Sequence, residues 1–307
     1  MRKLIKDRDD RPLTIHSSLA GPLSEASFLQ RSLIFAELSM IAYFSPPEAA
    51  HAAAQVGFSE TQFFDRNGAQ AYRFCNQHDC VVTCRGTELN DWNDIDANVR
   101  VGTVLAEIAG RVHRGFKREV DDLWPELETV LMDNDLPLWL CGHSLGGAMA
   151  TICAGRCFLS HIPSNPEALV TFGSPRVGDR AYVNYVNIDH YRWVHNNDIV
   201  TRLPPTWMGY RHNGREIYLD SLSRIRKLSG VARRIDRWRG FFMSLRAGKL
   251  DYLSDHTIQG YLEAIASEFA ADQREIRQGE SATQGIEISL PAPKAPGAYP
   301  HSTSKAG

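Results

Sequence analysis

The chain has 307 residues, 43% of them hydrophobic and 9% aromatic, and a formal net charge of −2. That length holds one large α/β domain or two modest ones with ample core material. The near-neutral balance excludes a global attraction to nucleic acid or to an anionic membrane, so any electrostatic preference must come from local clusters. Arg2, Lys3 and Lys6 are followed by the charged run Asp7-Arg8-Asp9-Asp10-Arg11 rather than by an apolar segment, so a Sec-type signal peptide is not expected. No stretch approaches a transmembrane helix either. The expectation is a cytoplasmic or peripheral membrane protein, or one secreted by a leaderless route. The cysteines Cys75, Cys80, Cys84, Cys141, Cys153 and Cys157 sit mostly in apolar runs and read as buried free thiols. Cys153 and Cys157 share a helical spacing, but no His or Cys cluster accompanies them, so neither a metal nor an organic cofactor is expected.

In chain order, residues 1–25 read as a polar arm, followed by one α/β domain over 26–278. Residues 28–43 place apolar groups at helical spacing and stop before Ser45-Pro46-Pro47. Two strands are predicted at 70–75 and 80–84; the second is almost continuously apolar, hence central. An amphipathic helix is predicted over 119–131. Next, Pro137-Leu138-Trp139-Leu140-Cys141 delivers Gly142-His143-Ser144-Leu145-Gly146-Gly147-Ala148 into a small-residue helix. Strands at 168–172 and 191–195 flank a helix over 177–186. Strands alternating with helices predict an α/β fold with a mostly parallel sheet covered on both faces. Residues 221–250 carry nine basic residues against one acid, Asp236, with Leu222, Ile225, Leu228, Val231, Ile235, Trp238, Phe242 and Leu245 three or four apart. They predict a basic amphipathic helix bent near Gly230 and Gly240. From Gly279 to Gly307 the chain is rich in Gly, Ala, Pro and Ser and reads as a flexible tail.

A serine flanked by glycines between an apolar strand and a helix has the layout of a nucleophile elbow. There the hydroxyl sits on a sharp turn beside backbone N–H groups that bind an oxyanion. An ordinary glycine-bearing turn is the competing explanation, and the partners downstream decide between them. On such a sheet an acid and then a histidine follow the serine in chain order. His256 precedes the last predicted helix, where a loop leaves its imidazole free to reach the elbow. Asp198 follows the strand at 191–195, on the edge where such sheets place their sites. Asp179 competes but is better explained as a helix cap, and Asp255 as a neighbour cannot readily reach Nδ1 of His256. For the oxyanion, Leu145 supplies the N–H after the nucleophile. Thr87, in Arg85-Gly86-Thr87-Glu88 after the strand at 80–84, offers an N–H and a hydroxyl.

With these pieces assembled, the chain resembles the class 3 lipases typified by fungal triacylglycerol lipases, over roughly residues 30–270. The resemblance is carried by Cys84-Arg85-Gly86-Thr87, Asp91-Trp92, Val112-His113-Arg114-Gly115-Phe116, the Gly142 to Ala148 elbow, Thr171-Phe172-Gly173-Ser174-Pro175-Arg176-Val177-Gly178, Asn197-Asp198-Ile199-Val200 with Arg202-Leu203-Pro204, and Asp255-His256. It implies an α/β-hydrolase fold and hydrolysis of carboxylic esters, most naturally acylglycerols. Ser144 would be the nucleophile, Asp198 the acid, His256 the base, and Thr87 with Leu145 the oxyanion hole; His113 would be structural. Two departures bear on substrate. Residues 88–96 are acidic where the fungal relatives carry an apolar lid, which keeps a phospholipase A1 or a soluble carboxylesterase of feruloyl-esterase type in view. Residues 221–250 could meet a lipid–water interface or an anionic membrane, or could simply be a surface helix on the core. A catalytically silent lipid- or protein-binding member of the fold would lack a triad residue, and none is missing. The expected partner is a lipid or ester substrate, not nucleic acid.

Overall fold

A computed structural model describes residues 14–86, 102–107, 109–160, 162–163, 165–186, 188–227, 232, 236 and 256–278. The α-helices with both ends among them are α1 (Phe28–Ile41), α2 (Pro46–Val56), α3 (Arg114–Met132), α4 (Leu145–Cys157), α5 (Arg180–Tyr185) and α6 (Ile258–Gln278). The strands are β1 (Glu60–Arg66), β2 (Ala69–Cys75), β3 (Cys80–Cys84), β4 (Thr103–Leu105), β5 (Arg111–His113), β6 (Leu138–His143), β7 (Pro166–Phe172), β8 (His190–His195) and β9 (Arg215–Leu219). Seven strands form one sheet in the order β1-β2-β3-β6-β7-β8-β9, with β4 and β5 as a separate hairpin. The pairs β1/β2 and β2/β3 are antiparallel, and every pair from β3 to β9 is parallel. This is the α/β-hydrolase architecture, a mostly parallel sheet with helices on both faces.

The continuous apolar runs of β3 and β6 follow from burial on both faces, since every residue of both strands is buried. Cys80, Val82, Cys84, Leu138 and Leu140 point into a core with Val120, Leu123 and Leu127 of α3 and Ile152 of α4. On the opposite face Trp139 meets Phe35 of α1. All six cysteines are free and buried, as their apolar surroundings suggested.

Several expectations change in detail. Ser45-Pro46-Pro47 ends one helix and also starts α2, because Ser45 and Glu48 form a capping box and the prolines occupy the first helical turn, where no N–H is needed. The helix expected over 119–131 begins at Arg114, where the His113 ring accepts from the Phe116 N–H. Within residues 14–25, part of the expected polar arm, two side chains are buried, Ser17 and Leu23, and the Leu23 N–H donates to Asp79 at 2.8 Å. The amides of His16 and Ser17 donate to Glu37 Oε1 at 2.6 and 3.1 Å, and the Ser17 hydroxyl bonds the other carboxylate oxygen. The basic helix does not begin at Ser221. Ser223 has φ 57°, Ile225 bridges back to Leu219, and Asp220 accepts from the Leu222 and Arg224 amides. Further on, residues 232 and 236 are helical. Asp236, the one acid of that stretch, accepts from the Tyr218 hydroxyl and from Ser221.

The chain divides into two compact units, Met1–Ala270 and Ala271–Gly307. Of the second, residues 271–278 are described and helical, and the tail at 279–307 lies outside the described residues, as do residues 1–13. Among the described residues no helix is long and apolar enough to cross a membrane.

Candidate active site

Strand β6 runs straight into Ser144, which takes φ 56° and ψ −129° before α4 begins. A serine there carries strain of about 1–3 kcal/mol, which the surrounding packing must hold in place. It does so through close backbone approach. A Cβ on Gly142 would lie 2.5 Å from the main chain of Gly146, and one on Gly147 would lie 2.8 Å from Ser174 Cβ. The Ser144 N–H donates to the Phe172 carbonyl at 2.9 Å, which leaves the hydroxyl standing over the C-terminal edge of the sheet. Leu145 is the first residue of α4, so its N–H belongs to the helical turn that has no intrahelical acceptor and sits at the positive end of the helix dipole.

The structure brings Ser144, His256 and Asp198 together. His256 Nε2 lies 2.7 Å from Ser144 Oγ, and its Nδ1 lies 2.9 and 3.0 Å from the two oxygens of Asp198. A carboxylate only accepts, so Nδ1 carries the proton and Nε2 presents a lone pair to the serine hydroxyl. Asp198 is fully buried, and two more donors satisfy it: the Tyr261 hydroxyl at 2.7 Å and the Val200 amide at 2.9 Å. Tyr261 is held in turn by the His195 N–H at 2.9 Å. Gly173, at φ 60°, keeps the space open, since a Cβ there would lie 2.7 Å from Asp198 Oδ2 and 3.0 Å from the His256 ring. Sequence reading did not single out Tyr261 or Gly173. Gly173 stood within a quoted motif, while Tyr261, five residues after His256, gave no signal of its own.

The competing acid Asp179 and the other histidines have places of their own. Asp179 caps α5 by accepting from the Tyr182 amide at 2.9 Å, as expected. His190 Nε2 bonds Thr171 at 2.9 Å, and its buried ring is pushed down to about 3 by desolvation. His195 Nε2 lies 3.2 Å from Ser223 Oγ, and His212 bonds the Thr201 carbonyl at 2.7 Å. His113 is fully buried and caps α3, a structural part. Asp255 and His161 lie outside the described residues.

Thr87 also lies outside the described residues, and so does the acidic segment 88–96. The chain is described up to Gly86, and there it already abuts the elbow. Cys84 of β3 is in register with Gly142, and a Cβ on Gly86 would lie 2.9 Å from the His143 carbonyl and 3.4 Å from the Gly146 amide. Gly86 itself, two residues after β3, therefore lies against the elbow. Among the described residues no cluster of His, Cys, Asp and Glu could hold a metal ion.

Residues 81–208 match the family model for lipase (class 3). A lipase of Rhizomucor miehei is 36% identical over 119 residues, covering 36% of this chain and 33% of the relative. The secreted mono- and diacylglycerol lipase 1 of Fusarium solani is 40% identical over 170 residues, half of each chain (50% and 50%). Among solved structures, the Rhizomucor miehei triacylglyceride lipase superposes with a TM-score of 0.56 at 25% identity, over 63% of this chain and 82% of that one. The chain thus spans between 33% and 50% of the length of those two curated relatives.

Proposed function

We propose that this chain, whose residues 81–208 belong to the class 3 lipase family, hydrolyses carboxylic esters of acylglycerols through an acyl-enzyme. The observation that carries the reading is the line from Asp198 through His256 to Ser144, with contacts of 2.9 and 2.7 Å on a serine held at positive φ. Ser144 Oγ attacks the ester carbonyl carbon while its proton passes to His256 Nε2. Asp198 keeps the imidazole in the receptive tautomer and stabilises its charged form. The N–H of Leu145 and the N–H and hydroxyl of Thr87 receive the oxyanion. His256 then gives the proton to the departing alkoxide as the ester C–O bond breaks; water, deprotonated by the same nitrogen, adds to the acyl carbon, and the acyl group leaves as a carboxylic acid while Ser144 Oγ takes the proton back from His256. Ser144→Ala should abolish both hydrolysis and labelling by a fluorophosphonate; surviving activity would remove Ser144 from the mechanism.

The acidic residues Glu88, Asp91, Asp94 and Asp96 favour a second reading, a phospholipase A1 or soluble carboxylesterase, because they supply little apolar surface for a lid. Emulsified triacylglycerol, phospholipid vesicles and soluble p-nitrophenyl esters of increasing chain length, compared side by side, separate the two. The interface contact belongs to residues 221–250. β9 runs parallel to β8, so the segment after β9 leaves the same sheet edge as the Asp198 loop, with Leu222 41% exposed. Each basic residue near an anionic surface adds about 1 kcal/mol. Co-sedimentation equal on neutral and anionic vesicles, and unmoved by Arg233→Glu with Arg237→Glu, would refute this contact.

A further inference from the structure

His143 precedes the nucleophile and is buried, yet the mechanism above gives it no part. Its Nε2 lies 2.6 Å from the main-chain carbonyl oxygen of His256, and its Nδ1 lies 3.0 Å from the Tyr43 hydroxyl. A carbonyl can only accept, so Nε2 carries the hydrogen. Nδ1 of the neutral ring is then an acceptor, and the Tyr43 hydroxyl donates to it. The direction of every bond in this relay is thereby fixed: Tyr43 to His143, and His143 to the backbone of His256. Burial, with the neighbouring His256 ring acting in the same sense, holds the His143 pKa well below the ordinary imidazole range, so the ring stays neutral and the relay intact. With both ring nitrogens engaged, His143 has no lone pair to offer a substrate or the serine.

Tyr43 also faces the other side of the site. A Cβ on Gly86 would lie 2.5 Å from the Tyr43 hydroxyl oxygen, and the Arg85 guanidinium stands 5.6 Å from the centre of the Tyr43 ring. The tyrosine therefore packs on the last two residues before Thr87 while it orients the imidazole that holds the base. The partners are 100 and 113 residues apart in sequence, so this contact joins the end of α1, the end of β6 and the approach to α6.

We propose that Tyr43 and His143 are positioning residues that fix the main chain of His256 and tie it to Arg85 and Gly86, just after β3. The inference rests on the assignment of Ser144 and His256 as nucleophile and base. The base must accept a proton from Ser144 Oγ and deliver it to the leaving alkoxide, so its nitrogen has to serve two positions within hydrogen-bond reach. A displacement of about 1 Å at such a centre costs on the order of 10²-fold in rate. The bond from His143 bears on the backbone of His256, whereas Asp198 bears on its ring, and the two restraints act at different points.

The test uses Tyr43→Phe, His143→Asn and His143→Gln, assayed on a soluble p-nitrophenyl ester well below the thermal midpoint of each variant. Tyr43→Phe removes one oxygen, and kcat should fall about threefold to tenfold with KM nearly unchanged. His143→Asn is too short to reach the His256 carbonyl, and kcat should fall on the order of 10²-fold. His143→Gln places an amide N–H near the former Nε2, and should recover most of that loss. The rate of fluorophosphonate labelling should follow kcat through the series. Unchanged kcat in Tyr43→Phe, or equal losses in the Asn and Gln variants of His143, would overturn the proposal; if His143→Asn does not fold, the Tyr43→Phe result decides alone. Activity surviving in Ser144→Ala would instead overturn the underlying assignment.

Discussion

Tyr261→Phe isolates the support beneath the acid. The substitution keeps the ring, whose edge meets Phe172 at 6.1 Å and His195 at 5.6 Å between centroids, and deletes only the hydroxyl. Two bonds go with it: the donor to Asp198 at 2.7 Å and the acceptor for the His195 N–H at 2.9 Å. A hydrogen bond to a charged group contributes about 1.5–3 kcal/mol, and a buried N–H left without an acceptor costs about 1–3 kcal/mol. Relaxation recovers part of this, so the expected loss of stability is about 2–4 kcal/mol. For a domain of this size each kcal/mol lowers Tm by roughly 2–4 °C, so the midpoint should fall by roughly 4–16 °C.

The share expressed in the transition state is smaller, because Asp198 keeps the Val200 amide and His256 as partners. If about 1.4 kcal/mol of the lost interaction is felt as the imidazole becomes charged, kcat/KM falls about tenfold. Thermal melts, together with kcat/KM on a p-nitrophenyl ester at a temperature where the variant is fully folded, measure the two parts separately. An unchanged kcat/KM alongside a lowered Tm would refute a role for Tyr261 in holding the acid. An unchanged Tm would refute the account of its burial.

Asp198→Asn should leave the fold intact and lower kcat by about 10⁴-fold, as amide-for-carboxylate exchange does in serine triads generally, by favouring the wrong imidazole tautomer; steady-state kinetics check this. Gly173→Ala forces a Cβ toward Asp198 Oδ2 and the His256 ring at a residue with φ 60°, and should cost on the order of 10²-fold in kcat/KM, with slower fluorophosphonate labelling. Burial raises the Glu37 pKa against the lowering effect of its bonds from Ser17 and His16. The folded state thus holds that proton more tightly than the unfolded chain. Its stabilising contribution is present below the unfolded value and is lost as pH rises through the raised folded one. Urea melts across this window should show wild type losing stability relative to Glu37→Gln as pH rises, and parallel curves would refute the assignment.

The central strands were legible because burial on both faces forces continuous apolar sequence, as in Cys80-Val81-Val82-Thr83-Cys84, and nothing polar can stand there without a partner. Strand β1 was not legible for the opposite reason. It is an edge strand, mostly exposed, with Glu60, Asp65 and Arg66 along it, and such charge is what keeps an edge from pairing with another chain. The hairpin β4–β5 is three residues a side, too short for a period to emerge. In residues 221–250 the apolar spacing was helical, but it could not register Ser223 at positive φ or the hold of Asp220 on the turn. Local backbone chemistry overrode the period at Ser221 to Lys227.

The site divides along the same physical line. The convergence of Ser144, Asp198 and His256 could be anticipated because nucleophilic chemistry demands given residue types in a particular chain order and at strand ends, and these constraints survive in a one-dimensional string. Tyr261, Gly173, His143 and Tyr43 meet no such demand. Each acts through a contact across the fold, such as Tyr261 to Asp198 over 63 residues and Tyr43 to His143 over 100. Their chemistry is generic, a hydroxyl, a missing Cβ or a neutral imidazole, and many sequence positions carry it to no effect. What makes them matter is where they arrive: Tyr261 at the buried carboxylate of Asp198, and His143 at the backbone carbonyl of His256. A triad can thus be read from order alone, but its precision is set by residues whose placement depends on the whole sheet. Substitutions at Tyr43, His143, Gly173 and Tyr261 should therefore lower turnover although Ser144, Asp198 and His256 are themselves unaltered.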